Sequence, residues 1–87
     1  MNDNVAVVTG AGSGIGRAIA LELGRRGFTV FVTDIDELAA KKVSGEIPNS
    51  FFYKLDVTNP IESVEIAQAV FLKSGRLDVW VSNAGIS

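Results

Sequence analysis

The stretch Val7 to Ala18, VVTGAGSGIGRA, sets Gly10, Gly12, Gly14 and Gly16 between a β-branched run and a run of helix formers. Glycine loses more backbone entropy on folding than any other residue, so a cluster of it is kept where the chain turns sharply or lets another group approach its backbone. A strand that hands over to a helix through such a turn leaves free N–H groups at the helix start. Together with the helix dipole, these favour an anion. The cluster therefore restricts the chain to folds that bring a strand end and a helix start to one edge, and it nominates that edge for ligand binding.

The rest of the sequence repeats the alternation. Val5 to Thr9 is a short continuous β-rich run, the pattern of a strand buried on both faces. After the glycines, Ile15, Ala18, Ile19 and Leu23 recur at helical spacing, Glu22 and Arg26 form an i,i+4 pair, and Gly27 offers a stop. Phe28 to Thr33 reads as a second buried strand ending at Asp34, and Leu38, Ala39 and Val43 mark a short helix closed by Gly45 and Pro48. Phe51 to Leu55 is a third strand ending at Asp56. Asn59, Pro60 and Glu62 then supply an N-cap, a first-turn proline and a capping-box partner for a helix from Pro60 to about Ser74, with Gly75 beyond it. Leu77 to Ser82 is the fourth strand, and no repeat, low-complexity tract or linker interrupts the series.

Strands and helices in this order, β-α-β-α-β-α-β, imply an α/β fold with a parallel sheet and right-handed crossovers, and the expected strand order is 3-2-1-4. That order places a switch point between the first and fourth strands, where open sheets bind ligands beyond the carboxyl ends of the strands. Gly10 to Gly16 and Asn83-Ala84-Gly85 both fall at that edge.

Composition narrows the partners. A chain of 87 residues has room for one modest core, so one domain or part of one is the limit. With 47% hydrophobic and 21% charged residues it is globular and slightly more apolar than a solvated small domain needs. A net charge of -2 argues against nucleic acid and anionic membranes, which select basic patches; Arg25-Arg26 and Lys41-Lys42 read as solvated helix faces. There is no cysteine and no histidine, which excludes disulfides, thiolate metal sites and Ser-His machinery within this chain, and no metal site is expected. The longest apolar runs, such as Val5 to Val8, are far short of the roughly 20 residues of a membrane span. Met1-Asn2-Asp3-Asn4 leads directly into a strand without the regions of a signal peptide, so a cytoplasmic location is the expectation.

Spacing separates the ligand classes that use a glycine turn. A P-loop, G-x-x-x-x-G-K-S/T, needs a glycine where Ile15, Arg17 or Ile19 stands. The dinucleotide fingerprint G-x-G-x-x-G needs one at Ile15 or Arg17. Gly10, Gly12 and Gly14 also satisfy the G-x-G-x-G of S-adenosylmethionine methyltransferases, with Asp34 to hold the ribose, but that motif usually follows an acidic residue and Val8-Thr9 supplies none. What fits is T-G-x-x-x-G-x-G, with Thr9, Gly10, Gly14 and Gly16.

On this motif the chain resembles the short-chain dehydrogenase/reductase family, a Rossmann family of nicotinamide-dependent oxidoreductases, and the agreement continues downstream. Asp34 matches the acidic position that bonds the adenosine ribose hydroxyls, and Asp56-Val57 matches the Asp-hydrophobic pair beside the adenine ring. Ser82-Asn83-Ala84-Gly85 resembles the family's Asn-Asn-Ala-Gly, with serine in place of the first asparagine. The resemblance implies a cofactor site of Thr9, Gly10, Ser13, Gly14, Ile15 and Gly16 in the first turn, Asp34 and Ile35 after the second strand, Asp56 and Val57 after the third, and Asn83, Ala84 and Gly85 after the fourth. A carboxylate at Asp34 would repel a 2′-phosphate, which favours NAD over NADP. Each signal has a plainer reading beside it: Asp34 as a helix N-cap, Asp56 as the start of a turn, Asn83 and Gly85 as an ordinary strand-ending turn. Ser13 is open between a hydroxyl contact to the pyrophosphate and a residue merely small enough for the turn.

The resemblance further implies hydride transfer between nicotinamide and a carbonyl or secondary alcohol, with a tyrosine as general acid/base, a lysine four residues later, a serine and a further asparagine. A tyrosine with pKa near ~10 is a poor base at neutral pH unless a nearby positive charge favours its anion. The only tyrosine, Tyr53, is followed four residues later by Val57 and belongs to the third strand. The expectation is thus a partial Rossmann fold, one incomplete NAD(P)-binding domain over residues 1–87 from the N-terminal part of such an enzyme, with no catalytic residue of its own and a small carbonyl or alcohol substrate for its parent. Self-association into a homo-oligomer is a second expectation, because the fourth strand would be an unpaired edge and only one helix would cover the second sheet face.

Overall fold

A computed structural model of the chain describes residues 3–83. Its elements are β1 (Val5–Val8), α1 (Gly14–Arg25), β2 (Thr29–Asp34), α2 (Glu37–Ser44), β3 (Ser50–Lys54), α3 (Pro60–Ser74) and β4 (Val79–Val81). The strands form one parallel sheet in the order β3-β2-β1-β4, as the alternation predicts. Val7 of β1 sits between Phe31 of β2 and Trp80 of β4. With strands on both sides and helices over both faces, β1 is buried at every residue. That is the physical reason its sequence does not alternate.

Alternation appears instead in what each face meets. Val8, Val30 and Val32 pack with Ala20 of α1 and Ala40 and Val43 of α2. Val5, Val7 and Phe31 pack with Leu55 and with Ile66 and Val70 of α3. Among the described residues two helices thus cover one face and α3 alone covers the other. Fully burying a side chain such as Phe31 or Leu55 contributes about 1.5–3 kcal/mol. The α3 side leaves apolar surface behind: Val64, Phe71 and Leu72 are exposed, Leu72 at 90%. Among the described residues no helix is long and apolar enough to cross a membrane.

Local chemistry sets the ends of the helices. Gly27 takes φ 91° while its N–H donates to the Gly24 carbonyl and that of Phe28 to Leu23, which ends α1 and returns the chain toward β2. Asn59 Oδ1 accepts the N–H groups of Ile61 and Glu62, Pro60 fills the first position of α3, and Gly75 stops it at φ 75°. The capping box at this end is not reciprocal. The Asn59 N–H goes to the Asp56 carbonyl, so Glu62 turns to the Asp56 N–H and the Asn59 side-chain amide. Gly45 does cap α2, but with right-handed φ -61°. Strand ends shift by a residue or two from the expected ones. β4 is the shortest, although the Asp78 N–H still donates to the Val5 carbonyl just before it.

Candidate functional site

The sheet order brings four loop segments to the carboxyl edge of the strands. They line a cleft of about 540 Å3 formed by Gly10, Ser13, Gly14, Ile15, Asp34, Ile35, Leu55, Asp56, Val57, Thr58 and Asn83. Of the thirteen positions named from sequence, nine line this cleft. Thr9 and Gly16 lie immediately behind it, and Ala84 and Gly85 lie outside the described residues.

The glycine loop is built by close approach. A Cβ on Gly16 would sit 2.1 Å from the Gly10 carbonyl oxygen and 2.5 Å from Asn83 Nδ2, so only glycine lets the start of α1 close against the loop. Gly10 and Gly14 use the left-handed region instead, with φ 61° and 58°. Ser13 stands at the N-cap of α1 in extended conformation, and its side chain makes no capping hydrogen bond. The first-turn N–H groups have no acceptor within the helix either, so the dipole's positive end meets the cleft uncapped. Ile15, two-thirds exposed, projects from the same turn.

Thr9 and Asn83 tie the loop to β4. The Thr9 hydroxyl donates to the Val81 carbonyl at 3.3 Å and accepts the Asn83 N–H at 3.0 Å. Asn83 Nδ2 donates to the Gly10 carbonyl at 3.1 Å. Asn83 therefore acts first on the loop: it fixes the carbonyl against which Gly16 packs.

The second strand ends in Asp34. Its Oδ2 accepts the Gly12 N–H and its Oδ1 the Asp36 N–H, both at 2.9 Å. Asp34 is not the cap of α2, as its plainer reading had it. Asp36 does that work, accepting the Ala39 N–H at 3.2 Å. Ile35 stands beside Asp34 with its side chain mostly exposed. After β3, Asp56 does begin a turn: its Oδ1 accepts both the Thr58 hydroxyl, at 2.6 Å, and the Thr58 N–H, at 2.9 Å. These bonds, the hydroxyl's above all, hold the Asp56 carboxyl below its ordinary range. Leu55, buried, and Val57, partly exposed, give that side of the cleft an apolar surface. Tyr53 lies in β3 with its ring 6.0 Å from that of Phe31, as a strand and packing residue.

Three residues escaped the sequence reading. Leu55 and Thr58 line the cleft, and Gly12 holds Asp34. Thr58 had a local signal, since an aspartate at a strand end can accept the backbone N–H two residues on in an Asx turn. Gly12 had none, because its partner is 22 residues away.

The cleft thus combines an uncapped helix start behind a glycine turn, a carboxylate at the next strand end and an apolar wall at the third. A ligand with an anionic centre, hydroxyl donors and a flat apolar end would match the three in that order. Comparisons with known proteins bear on the family and the fold. A family model described as short chain dehydrogenase matches residues 4–87. The "Probable oxidoreductase EphD" of Mycobacterium tuberculosis is 43% identical over 97% of this chain, which spans 15% of that protein. A solved hydroxysteroid dehydrogenase from Escherichia coli superposes with a TM-score of 0.91 at 37% identity, over 94% of this chain and 37% of that one. A solved 3-ketoacyl-(acyl-carrier-protein) reductase from Brucella melitensis, complexed with NADH, superposes with a TM-score of 0.84 at 31% identity, over 88% of this chain and 32% of that one.

Proposed function

The chain belongs to the short-chain dehydrogenase family, and on that premise we propose that its cleft binds the adenosine and pyrophosphate portion of a nicotinamide dinucleotide, NAD in preference to NADP. The protein it serves is then an oxidoreductase that interconverts a carbonyl and a secondary alcohol. The observation that carries the reading is the seat at Gly16, where the backbone of the loop and the start of α1 meet with no space for a Cβ. Such packing leaves N–H groups, rather than side chains, at the surface an anion would approach.

The chain's own residues divide the work. The first-turn N–H groups of α1 and the loop from Gly10 through Ser13 to Gly16 take the pyrophosphate. Thr9 and Asn83 keep that loop in shape through the Gly10 carbonyl. Asp34 accepts the ribose hydroxyls, and Ile15, Ile35 and Val57 offer apolar contacts, those of Ile35 and Val57 to the adenine. Asp56 stands beside that ring, and resemblance to the family adds Ala84 and Gly85 to the cofactor-binding set. When bound, the cofactor supplies the hydride carrier. The tyrosine–lysine pair that the family uses has no counterpart in these residues, since Tyr53 is followed by Val57 four positions on, and the chain by itself is proposed to be inactive.

The preference for NAD follows from charge. Two like unit charges about 4 Å apart repel by about 1 kcal/mol in water and about 4 kcal/mol near a protein surface, so a 2′-phosphate beside Asp34 costs about fivefold or more in affinity. Isothermal titration with NAD+, ADP-ribose and NADP+ tests the assignment. NAD+ and ADP-ribose should bind alike and NADP+ more weakly; equal binding of all three, or none, refutes it.

A second reading concerns assembly. Val64, Phe71 and Leu72 expose an apolar stripe on α3, and β4 lies at one edge of the sheet. These favour association with another copy. A monomer by light scattering at high concentration counts against it.

A further inference from the structure

Gly12 is the one glycine of the cluster that T-G-x-x-x-G-x-G leaves optional, yet, like Gly16, it has no room for a side chain. A Cβ there would lie 2.6 Å from Ala39 Cβ and 2.8 Å from Asp34 Oδ2. Its N–H donates to that same Oδ2 at 2.9 Å, while the Asp36 N–H holds Oδ1 at 2.9 Å. The carboxylate is therefore gripped by one backbone N–H per oxygen, one from the loop before α1 and one from the loop before α2. An ionised carboxylate offers about four acceptor positions. With two taken, about one remains on each oxygen, which suits a pair of neighbouring hydroxyl donors and not a phosphate ester that has none to give.

Both grips depend on position 12. Ala39 belongs to the first turn of α2, and its N–H is capped by Asp36, the residue whose own N–H holds Asp34. A side chain at position 12 that pushes on Ala39 displaces the start of α2, and with it the second N–H; pushing on Oδ2 breaks the first. We propose that Gly12 is a positioning residue for dinucleotide selection: its N–H and its missing side chain hold the Asp34 carboxylate where it separates a 2′-hydroxyl from a 2′-phosphate. This rests on the reading of the cleft as a dinucleotide site.

The test is a double-mutant cycle in the ratio of the NADP+ to the NAD+ dissociation constant, measured by titration calorimetry on the unaltered protein, Gly12→Ala, Asp34→Ala and the double variant, with far-UV circular dichroism as the check on folding. Loss of a hydrogen bond to a charged group supports an effect of about tenfold. Gly12→Ala should lower the ratio by about that factor, and in the Asp34→Ala background it should leave the ratio unchanged, because nothing is left to position. A merely structural role moves both affinities together; equal weakening of the two cofactors by Gly12→Ala overturns the proposal. If Gly12→Ala does not fold, Gly12→Ala with Ala39→Gly removes the 2.6 Å contact, keeps the one on Oδ2 and is read the same way. Failure of the underlying reading has a different signature: the unaltered protein then binds neither cofactor, or both alike, whereas failure of the Gly12 role alone leaves an NAD preference that survives the substitution.

Discussion

Replacing Gly16 by alanine is the sharpest test of how the loop is built. The added Cβ would meet the Gly10 carbonyl oxygen at 2.1 Å, its carbon at 2.8 Å and Asn83 Nδ2 at 2.5 Å. Two of these three atoms are backbone, so the loop itself must move. Overpacking of this kind costs about 1–3 kcal/mol, and losing the Asn83 bond to the Gly10 carbonyl adds about 1 kcal/mol. The better helix propensity of alanine offsets at most about 1 kcal/mol, less in a first turn where no N–H is paired within the helix. The net expectation is a loss of about 2–3 kcal/mol, a large share of the roughly 5–15 kcal/mol of a small domain. Urea denaturation followed by circular dichroism reads it directly, and at about 4–8 °C per kcal/mol for a domain of this size the thermal midpoint should fall visibly. Gly24→Ala is the control. Its Cβ would meet the side chain of Ile47, at 2.6 Å, rather than backbone. Overpacking of about 1–3 kcal/mol is offset by at most about 1 kcal/mol of helix propensity in the last turn of α1, which leaves a net loss smaller than that of Gly16→Ala. If Gly16→Ala unfolds no earlier than Gly24→Ala and binds NAD+ as before, the close-approach argument is wrong.

Further outcomes follow from the same geometry. Arg25, then Arg26, through their bonds to Glu22 hold its carboxyl down to about 2 from an ordinary 4.5. A lowered folded-state pKa means stability present above the ordinary value and lost as the pH falls through the folded one. The pair should therefore weaken between about pH 4.5 and 2, and Glu22→Gln should remove that part of the slope in a pH series of melts. Asp36→Ala should cost about 1 kcal/mol through the lost cap of α2 and, by freeing the turn that holds Asp34, narrow the gap between NAD+ and NADP+ binding; a calorimetric ratio equal to that of the unaltered protein would refute the link. Leu55→Ala, under both α3 and the cleft, should cost about 2–5 kcal/mol by urea titration. Leu72→Lys should leave the melt nearly unchanged and lower any self-association seen by light scattering.

The elements most legible in the sequence were those whose causes lie within a few residues. Asn59 and Pro60 start α3 and Gly75 ends it, and Gly27 ends α1, because caps and left-handed turns are satisfied by neighbours in the chain. The reading slipped where a neighbour had two possible partners. Glu62 looked like the return arm of a capping box, but the N–H it needed was already bonded to the Asp56 carbonyl. Asp34 reads from sequence as a possible cap of α2, but its carboxylate is taken by the N–H groups of Asp36 and of Gly12, 22 residues upstream, and Asp36 caps the helix.

By itself, then, the sequence determined the alternation of strand and helix, the parallel order 3-2-1-4 that handed crossovers impose on it, and the family to which the glycine spacing belongs. Those follow from local propensity, turn chemistry and chirality, which act along the chain. Only the tertiary structure decided that Asn83 fixes the Gly10 carbonyl from 73 residues away, that Gly16 has no room for a side chain because of both, and that Gly12 holds Asp34. Each of these depends on the register in which β4, β1 and β2 lie side by side, and a contact a few ångströms long between distant residues exists only once that register has formed.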